Sequence, residues 1–161
     1  MENELKKAIE LRKTKYFIES NEVLMSLFEK YPNNATINYQ CAWSFDLLGE
    51  EAKAVPYYEK AIELGLTNEE LEGALLGLGS TYRTLGEYEQ SKRVFLKGID
   101  HFPNNRAMKV FYSMTLYNLE EHHSAMEILL KALVETTTDQ EILNYKRAIE
   151  FYADKLDEVW K

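Results

Sequence analysis

The sequence predicts an all-α fold: a solenoid of four helix-turn-helix units, about residues 1–34, 35–68, 69–105 and 106–138, closed by a capping helix over 139–160. Three observations predict it. A bulky residue recurs as Leu24, Tyr58, Phe95 and Leu129, at spacings of 34, 37 and 34, and four positions before each stands a small one: Ser20, Ala54, Ser91 and Ala125. Helix breakers recur in the same phase, with Gly49 and Gly86 separated by 37 residues and Pro32 and Pro103 by 71. Finally, 161 residues contain only seven Gly and three Pro, with no Ser/Gly-rich or Pro-rich linker. Self-similarity at a fixed period of this size is the signature of stacked supersecondary units, none of which can bury its apolar face alone.

The best-formed unit is EGALLGLGSTYRTLGEYEQSKRVFLKGIDHFPNN, residues 72–105. Leu75, Leu78, Gly79 and Tyr82 stand at helical spacing, Leu85-Gly86 breaks that helix, and Tyr88, Ser91, Phe95 and Gly98 mark a second one that Pro103 ends. The first unit places Ala8 and Leu11 in one helix and Leu24, Leu27 and Phe28 in the next, but lacks the turn glycine, as suits a terminal copy with one face in water. Pro32 stops its second helix and Asn34 is placed to cap the third; Pro103-Asn104-Asn105 repeats the device.

The second unit carries Ala42, Phe45 and Leu48, then Ala54, Tyr58 and Ala61, with Pro56 predicting a slight kink. Three residues, Gly65-Leu66-Thr67, are inserted after it, and Thr67-Asn68-Glu69-Glu70 has the form of a capping box. The helix that follows is therefore predicted to be about one turn longer than its equivalents. It contains Gly73, Gly77 and Gly79, each costing about 1 kcal/mol relative to Ala, and only Gly79 occupies a close-packing position of the repeat. The fourth unit keeps Ser113, Leu116, Ala125, Leu129 and Ala132 but has Glu120 for the turn glycine and Thr137 for the closing proline. Thr138-Asp139-Gln140-Glu141 then opens the capping helix, with an apolar stripe of Ile142, Tyr145, Ile149, Tyr152, Leu156 and Val159.

This order of small, large and helix-stopping residues resembles the tetratricopeptide repeat, whose period is about 34 residues. The match spans essentially the whole chain, which is also similar to small bacterial proteins of that family. The resemblance implies a right-handed superhelical solenoid and a non-enzymatic scaffold that holds a peptide, helix or partner protein in a concave groove lined by the first helices. The groove rows then read Leu5, Tyr39, Leu76, Val110; Ile9, Trp43, Ser80, Met114; and Arg12, Asp46, Arg83, Tyr117. Two rows are largely apolar and the third mixes charges. Large aromatics, Met and Arg are the residue types enriched where proteins bind proteins, so Tyr39, Trp43, Met114 and Tyr117 are expected to anchor an apolar or amphipathic segment while Asp46 and Arg83 fix its direction. The alternative is that these aromatics fill the groove's floor or pack on the capping helix. Some family members clamp a terminal carboxylate with Lys, Asn and Arg; Leu5, Ile9, Gln40, Gly73 and Gly77 stand at the corresponding positions, so that clamp is absent.

Other classes of function find little support. Twenty-seven acidic against nineteen basic residues give a net charge of −8, which repels a phosphate backbone, so no nucleic-acid partner is expected. No run approaches the roughly 18 apolar residues of a membrane span, and the start, MENELKKAIELRKTKYF, has no apolar signal core, so no membrane partner and a cytoplasmic location are expected. Cys41, the one cysteine, is read as a buried, inert thiol. His122 and His123 are adjacent and point apart on a helix, Glu50-Glu51 and Glu69-Glu70 are helix-start carboxylates, and no phosphate loop or Ser/His/Asp set is present. No catalytic residue, metal site or cofactor is expected. Two readings stay open: an adaptor for a foreign protein or peptide, or a self-associating homodimer with a regulatory or assembly role, with Phe17, Phe28 and Tyr31 or Trp160 as its interface.

Overall fold

The computed structural model describes residues 1–161. Ten helices follow one another without a strand: α1 (Glu2–Lys13), α2 (Phe17–Lys30), α3 (Ala35–Leu47), α4 (Glu51–Leu64), α5 (Asn68–Thr84), α6 (Tyr88–His101), α7 (Arg106–Asn118), α8 (His122–Thr136), α9 (Gln140–Asn144) and α10 (Lys146–Tyr152). They fall into two compact units, Met1–Glu87 and Tyr88–Lys161. The boundary lies between the two helices of the third sequence repeat.

One turn geometry is used four times. After α1, α3, α5 and α7 the chain enters the left-handed region at Lys15, Gly49, Gly86 and Glu120, with φ of +66°, +71°, +79° and +62°. The next residue's N–H then reaches back to the same place: Tyr16 to the carbonyl of Leu11, Glu50 to Phe45, Glu87 to Tyr82 and Glu121 to Leu116, at 2.8–2.9 Å. This closes each helix by satisfying a carbonyl that would otherwise be orphaned. Glycine takes the conformation freely, whereas a residue with a Cβ loses roughly 1–2 kcal/mol. The degenerate first and fourth units therefore keep the turn and bear its strain.

In the first unit Ala8, Leu24, Leu27, Ile37 and Cys41 form a closed core, with Leu5, Val23, Met25, Phe28 and Tyr57 packed against it. The small residue Ser20 lets α1 and α2 approach, and its hydroxyl donates to the carbonyl of Ala8 at 2.8 Å. Tyr57 sits edge-on to Phe28 and stacked on Phe45, with centroids 5.0 and 5.4 Å away. Burial pushes the Cys41 thiol up to about 12, so it stays protonated and unreactive at neutral pH.

Asn34 caps α3 as expected, its Oδ1 accepting from Ile37 N at 3.0 Å. Helix α4 continues through Pro56; the carbonyl that loses its N–H partner belongs to Ala52, an exposed residue. Helix α5 has 17 residues against 13 in α3 and α7, the extra turn that the insertion predicts. Its start is not the expected capping box, because Thr67 makes no cap bond. Glu70 accepts from Thr67 at 3.5 Å and from Thr36 of α3 at 2.9 Å, so the extra turn is tied sideways to its neighbour.

In the second unit Phe95, Met108 and Leu116 are buried, and the small-residue position Ser91 meets Thr115 hydroxyl to hydroxyl at 2.8 Å. Asn105 caps α7 through Met108 N at 2.8 Å. The expected capping helix over 139–160 is not continuous. Asp139 rather than Thr138 caps α9, which ends after five residues, and α10 stops at Tyr152. The cause is the lack of a surface to bury the stripe. Tyr145, Tyr152, Leu156 and Val159 remain exposed and only Ala153 is fully buried, while a helix this short depends on packing along one whole face. For the same reason Leu129 stays 37% exposed, whereas its repeat equivalents Leu24, Tyr58 and Phe95 are buried.

Because Glu120 holds a left-handed backbone that glycine adopts without strain, Glu120→Gly is expected to stabilise the protein by about 1 kcal/mol in urea unfolding. A loss of stability on this substitution would contradict the reading of a strained turn.

Candidate functional site

The site begins with two glycines one turn apart on α5. A Cβ on Gly77 would lie 2.5 Å from Tyr58 Oη and 2.7 Å from Tyr58 Cζ, and one on Gly73 would overlap Tyr39 Oη. Gly73 and Gly77 share a helical face, so together they form a notch that receives the phenol of Tyr39 from α3 and that of Tyr58 from α4. These two glycines, unexplained by the sequence, are there for the tyrosines. The tyrosine rings lie 6.3 Å apart, and Tyr39 in turn lies 6.0 Å from the Trp43 ring.

A carboxylate locks this floor. Tyr58 donates to Asp46 Oδ2 at 2.7 Å, and Thr81 Oγ1 lies 2.9 Å from Asp46 Oδ1 and 2.8 Å from the carbonyl of Gly77, sharing its hydrogen between them. Burial pushes the Asp46 carboxyl above its ordinary value, and the hydrogen bonds from Tyr58 and Thr81 pull it back. Burial, reinforced by Asp46, raises Tyr58 still further, so the phenol remains a neutral donor. Asp46 thus joins α3, α4 and α5 at a single point.

Above the floor opens a cavity of about 400 Å³, walled by Trp43 and Leu47 of α3 and by Leu76 and Ser80 of α5. Tyr39 is 9% exposed and Tyr58 2%, whereas Trp43 is 39% exposed. The tyrosines are floor and the indole is accessible wall. From α1 the Arg12 guanidinium stacks on the Trp43 ring, with Cζ 3.7 Å from the centroid. The walls are apolar, the floor ends in phenols and one carboxylate, and the charge beside it is positive. Such a cavity has the size and lining to receive an apolar side chain.

Of the residues the sequence singles out, Tyr39, Trp43 and Asp46 meet at this cavity. Arg83 belongs to the same unit, on α5, half-buried and outside the cavity lining. Met114 and Tyr117 lie in the second unit, exposed one turn apart on α7, with the Tyr117 ring 5.0 Å from His122. His123 is bracketed by Asp157 Oδ2 at 3.1 Å and the carbonyl of Asp154 at 3.2 Å, which holds the end of the chain to the start of α8. Sequence reasoning did not select Tyr58, Gly73, Gly77 or Arg12 for the site. The i, i+4 glycine pair was the available signal, since both glycines lie on one face of α5.

A model of the tetratricopeptide repeat, described as "Tetratrico peptide repeat", matches residues 35–156. The chain belongs to the tetratricopeptide repeat family. Over 105 residues it is 26% identical to Superkiller protein 3 of Saccharomyces cerevisiae, a stretch that is 61% of this chain but 7% of that protein. Among solved structures it is similar to YrrB, described as a TPR protein with an unusual peptide-binding site, with a TM-score of 0.72 at 16% identity over 88% of this chain and 71% of that one. A MamA double mutant gives 0.75 at 13% identity, covering 97% and 86% of the two chains. Cut9 in its hetero-tetramer with Hcn1 gives 0.76 at 13% identity, covering 91% of this chain and 29% of that one. At these identities the likeness to solved structures is one of fold: all-helical repeats of this family. No helix is long and apolar enough to cross a membrane.

Glycine to alanine inside a helix ordinarily gains about 1 kcal/mol. Gly77→Ala is expected to do the opposite, losing on the order of 1–3 kcal/mol in chemical denaturation, because the new methyl meets a phenol that Asp46 holds in place. Unchanged or increased stability would mean that Tyr58 is free to move away.

Proposed function

We propose that this tetratricopeptide repeat protein is a non-enzymatic adaptor that binds an apolar or amphipathic segment of a partner protein or peptide in its groove. The observation that carries the reading is the convergence of Tyr39, Trp43 and Asp46 on one apolar cavity between α3 and α5, both first helices of their repeats. A rigid floor below an accessible indole is the arrangement of an interface anchor: the floor is already ordered, so little freedom is lost on binding, and the aromatic contributes a large contact area. In the first unit Trp43 is the anchor, with Tyr39 and Asp46 beneath it; Arg83 on α5, and in the second unit Met114 and Tyr117 on α7, are the other residues assigned to partner contact. The likeness to YrrB, described as a TPR protein with an unusual peptide-binding site, supports a ligand of this kind. A buried, protonated Cys41 is compatible with a cytoplasmic location.

The test is affinity capture from native lysate with the wild type and with a Trp43→Ala, Tyr117→Ala double variant. The wild type is expected to retain a partner that the folded variant loses. A folded variant that captures the same partner in the same amount would sink the reading.

A second reading, self-association as a homodimer, is favoured by the apolar end of the second unit, where Leu129, Phe151, Tyr152 and Trp160 are exposed. Light scattering decides it. A dimer mass at micromolar concentration is the expected signature, and a monomer at several hundred micromolar removes it.

A further inference from the structure

Arg12 is the charge beside the cavity that the fold leaves unanswered. Its Nη1 is buried and meets no hydrogen-bond acceptor, and no carboxylate comes within ion-pair distance of it. The cavity's own carboxylate, Asp46, is engaged by Tyr58 and Thr81 instead. Burial pulls the Arg12 guanidinium below its ordinary value; the phenols of Tyr39 and Tyr58 oppose this only in part, and no carboxylate contributes. Other basic side chains at helix crossings are answered: Lys92 by Glu121 at 2.6 Å and Arg106 by Glu135 at 3.0 Å. A buried, unmatched N–H on a cation is costly, and it is the half-exposed remainder of the guanidinium that a ligand can reach.

We propose that Arg12 reads an acidic side chain of the bound segment, so that the groove selects peptides in which Asp or Glu stands beside an apolar residue. This rests on the groove reading above and names the chemistry of its ligand. The apolar side chain enters the cavity between Trp43 and Leu76, and the carboxylate meets the guanidinium at the Trp43 edge. Two features suit Arg12 to the task. The flat guanidinium fork matches a carboxylate with two parallel hydrogen bonds, and its stack on Trp43 fixes the plane of the fork before the ligand arrives. The same indole thus walls the apolar cavity and orients the cation, which places the two recognition elements side by side. None of the cavity-lining residues is a second cation, so a single side-chain carboxylate balances the charge. The chain's net charge of −8 opposes acidic ligands at long range, so Arg12 acts as a short-range selector and does not steer encounter.

The experiment selects random dodecapeptides, displayed as fusions without a free C-terminal carboxylate, on the full-length chain. Selected peptides are remade as amides and titrated against the wild type, Trp43→Ala and Arg12→Gln, with Arg12→Met as a second variant that keeps the apolar stem, each checked for helix content. Peptides that lose binding to Trp43→Ala are expected to carry Asp or Glu next to an apolar residue. Replacing that acid by its amide should weaken binding to the wild type by about tenfold or more and leave binding to the Arg12 variants unchanged. Trp43-dependent peptides without an acidic residue, or an acid preference that survives both Arg12 variants, would overturn the selector while leaving the groove reading in place. If no selected peptide depends on Trp43, the groove reading fails and the selector with it.

Discussion

The approach of α5 to the pair formed by α3 and α4 is the constraint on which the first unit's surface depends. Two glycines remove the Cβ atoms that would hold the helices apart, two tyrosines fill the space, and Asp46 takes a hydrogen bond from one helix on each side. Each part needs the others. Without the glycines the phenols have no room, and without Asp46 the Tyr58 hydroxyl is a buried donor with nothing to bind. The result is a cavity whose floor is ordered in advance, with its variable chemistry, Trp43 and Arg12, left on the rim.

The helical turns show how a repeat survives loss of its marker residue. Lys15 and Glu120 replace glycine yet hold the same left-handed φ and the same backbone hydrogen bond, because the buried helices on either side determine where the chain must reverse. Small residues at the crossings complete the frame. Ser20 and Ser91 do more than save space, since each hydroxyl finds a buried partner, the carbonyl of Ala8 and the hydroxyl of Thr115. At the other extreme, the end of the second unit has an apolar stripe but nothing to bury it against, and a predicted long helix becomes two short ones.

Period, turn positions and the small-residue crossings of the repeats were legible in the sequence because each is a local rule repeated in phase. The extra turn of α5 was legible for the same reason. Its tie to α3 was not, since nothing local says that Glu70 will also reach Thr36 on a neighbouring helix. At the site, helical spacing put Tyr39, Trp43 and Asp46 on one face of α3, where they line one cavity, but it could not say that Asp46 would be occupied by the fold while Arg12, in the same row, would be left without a counter-charge. That difference depends on tertiary distances. The glycine pair was visible as an anomaly, and only the neighbouring phenols explain it.

The central claim is that a partner segment enters at Trp43 and not at the exposed apolar end of the chain. The chain has two tryptophans, Trp43 in the cavity wall and Trp160 beside Phe151 and Tyr152. The most direct measurement is the pair of indole N–H resonances in the ¹⁵N-labelled full chain, followed while a peptide selected for binding is added. The Trp43 resonance is expected to shift in proportion to occupancy while that of Trp160 stays in place; a saturating shift of Trp160 with Trp43 unmoved would contradict entry at Trp43.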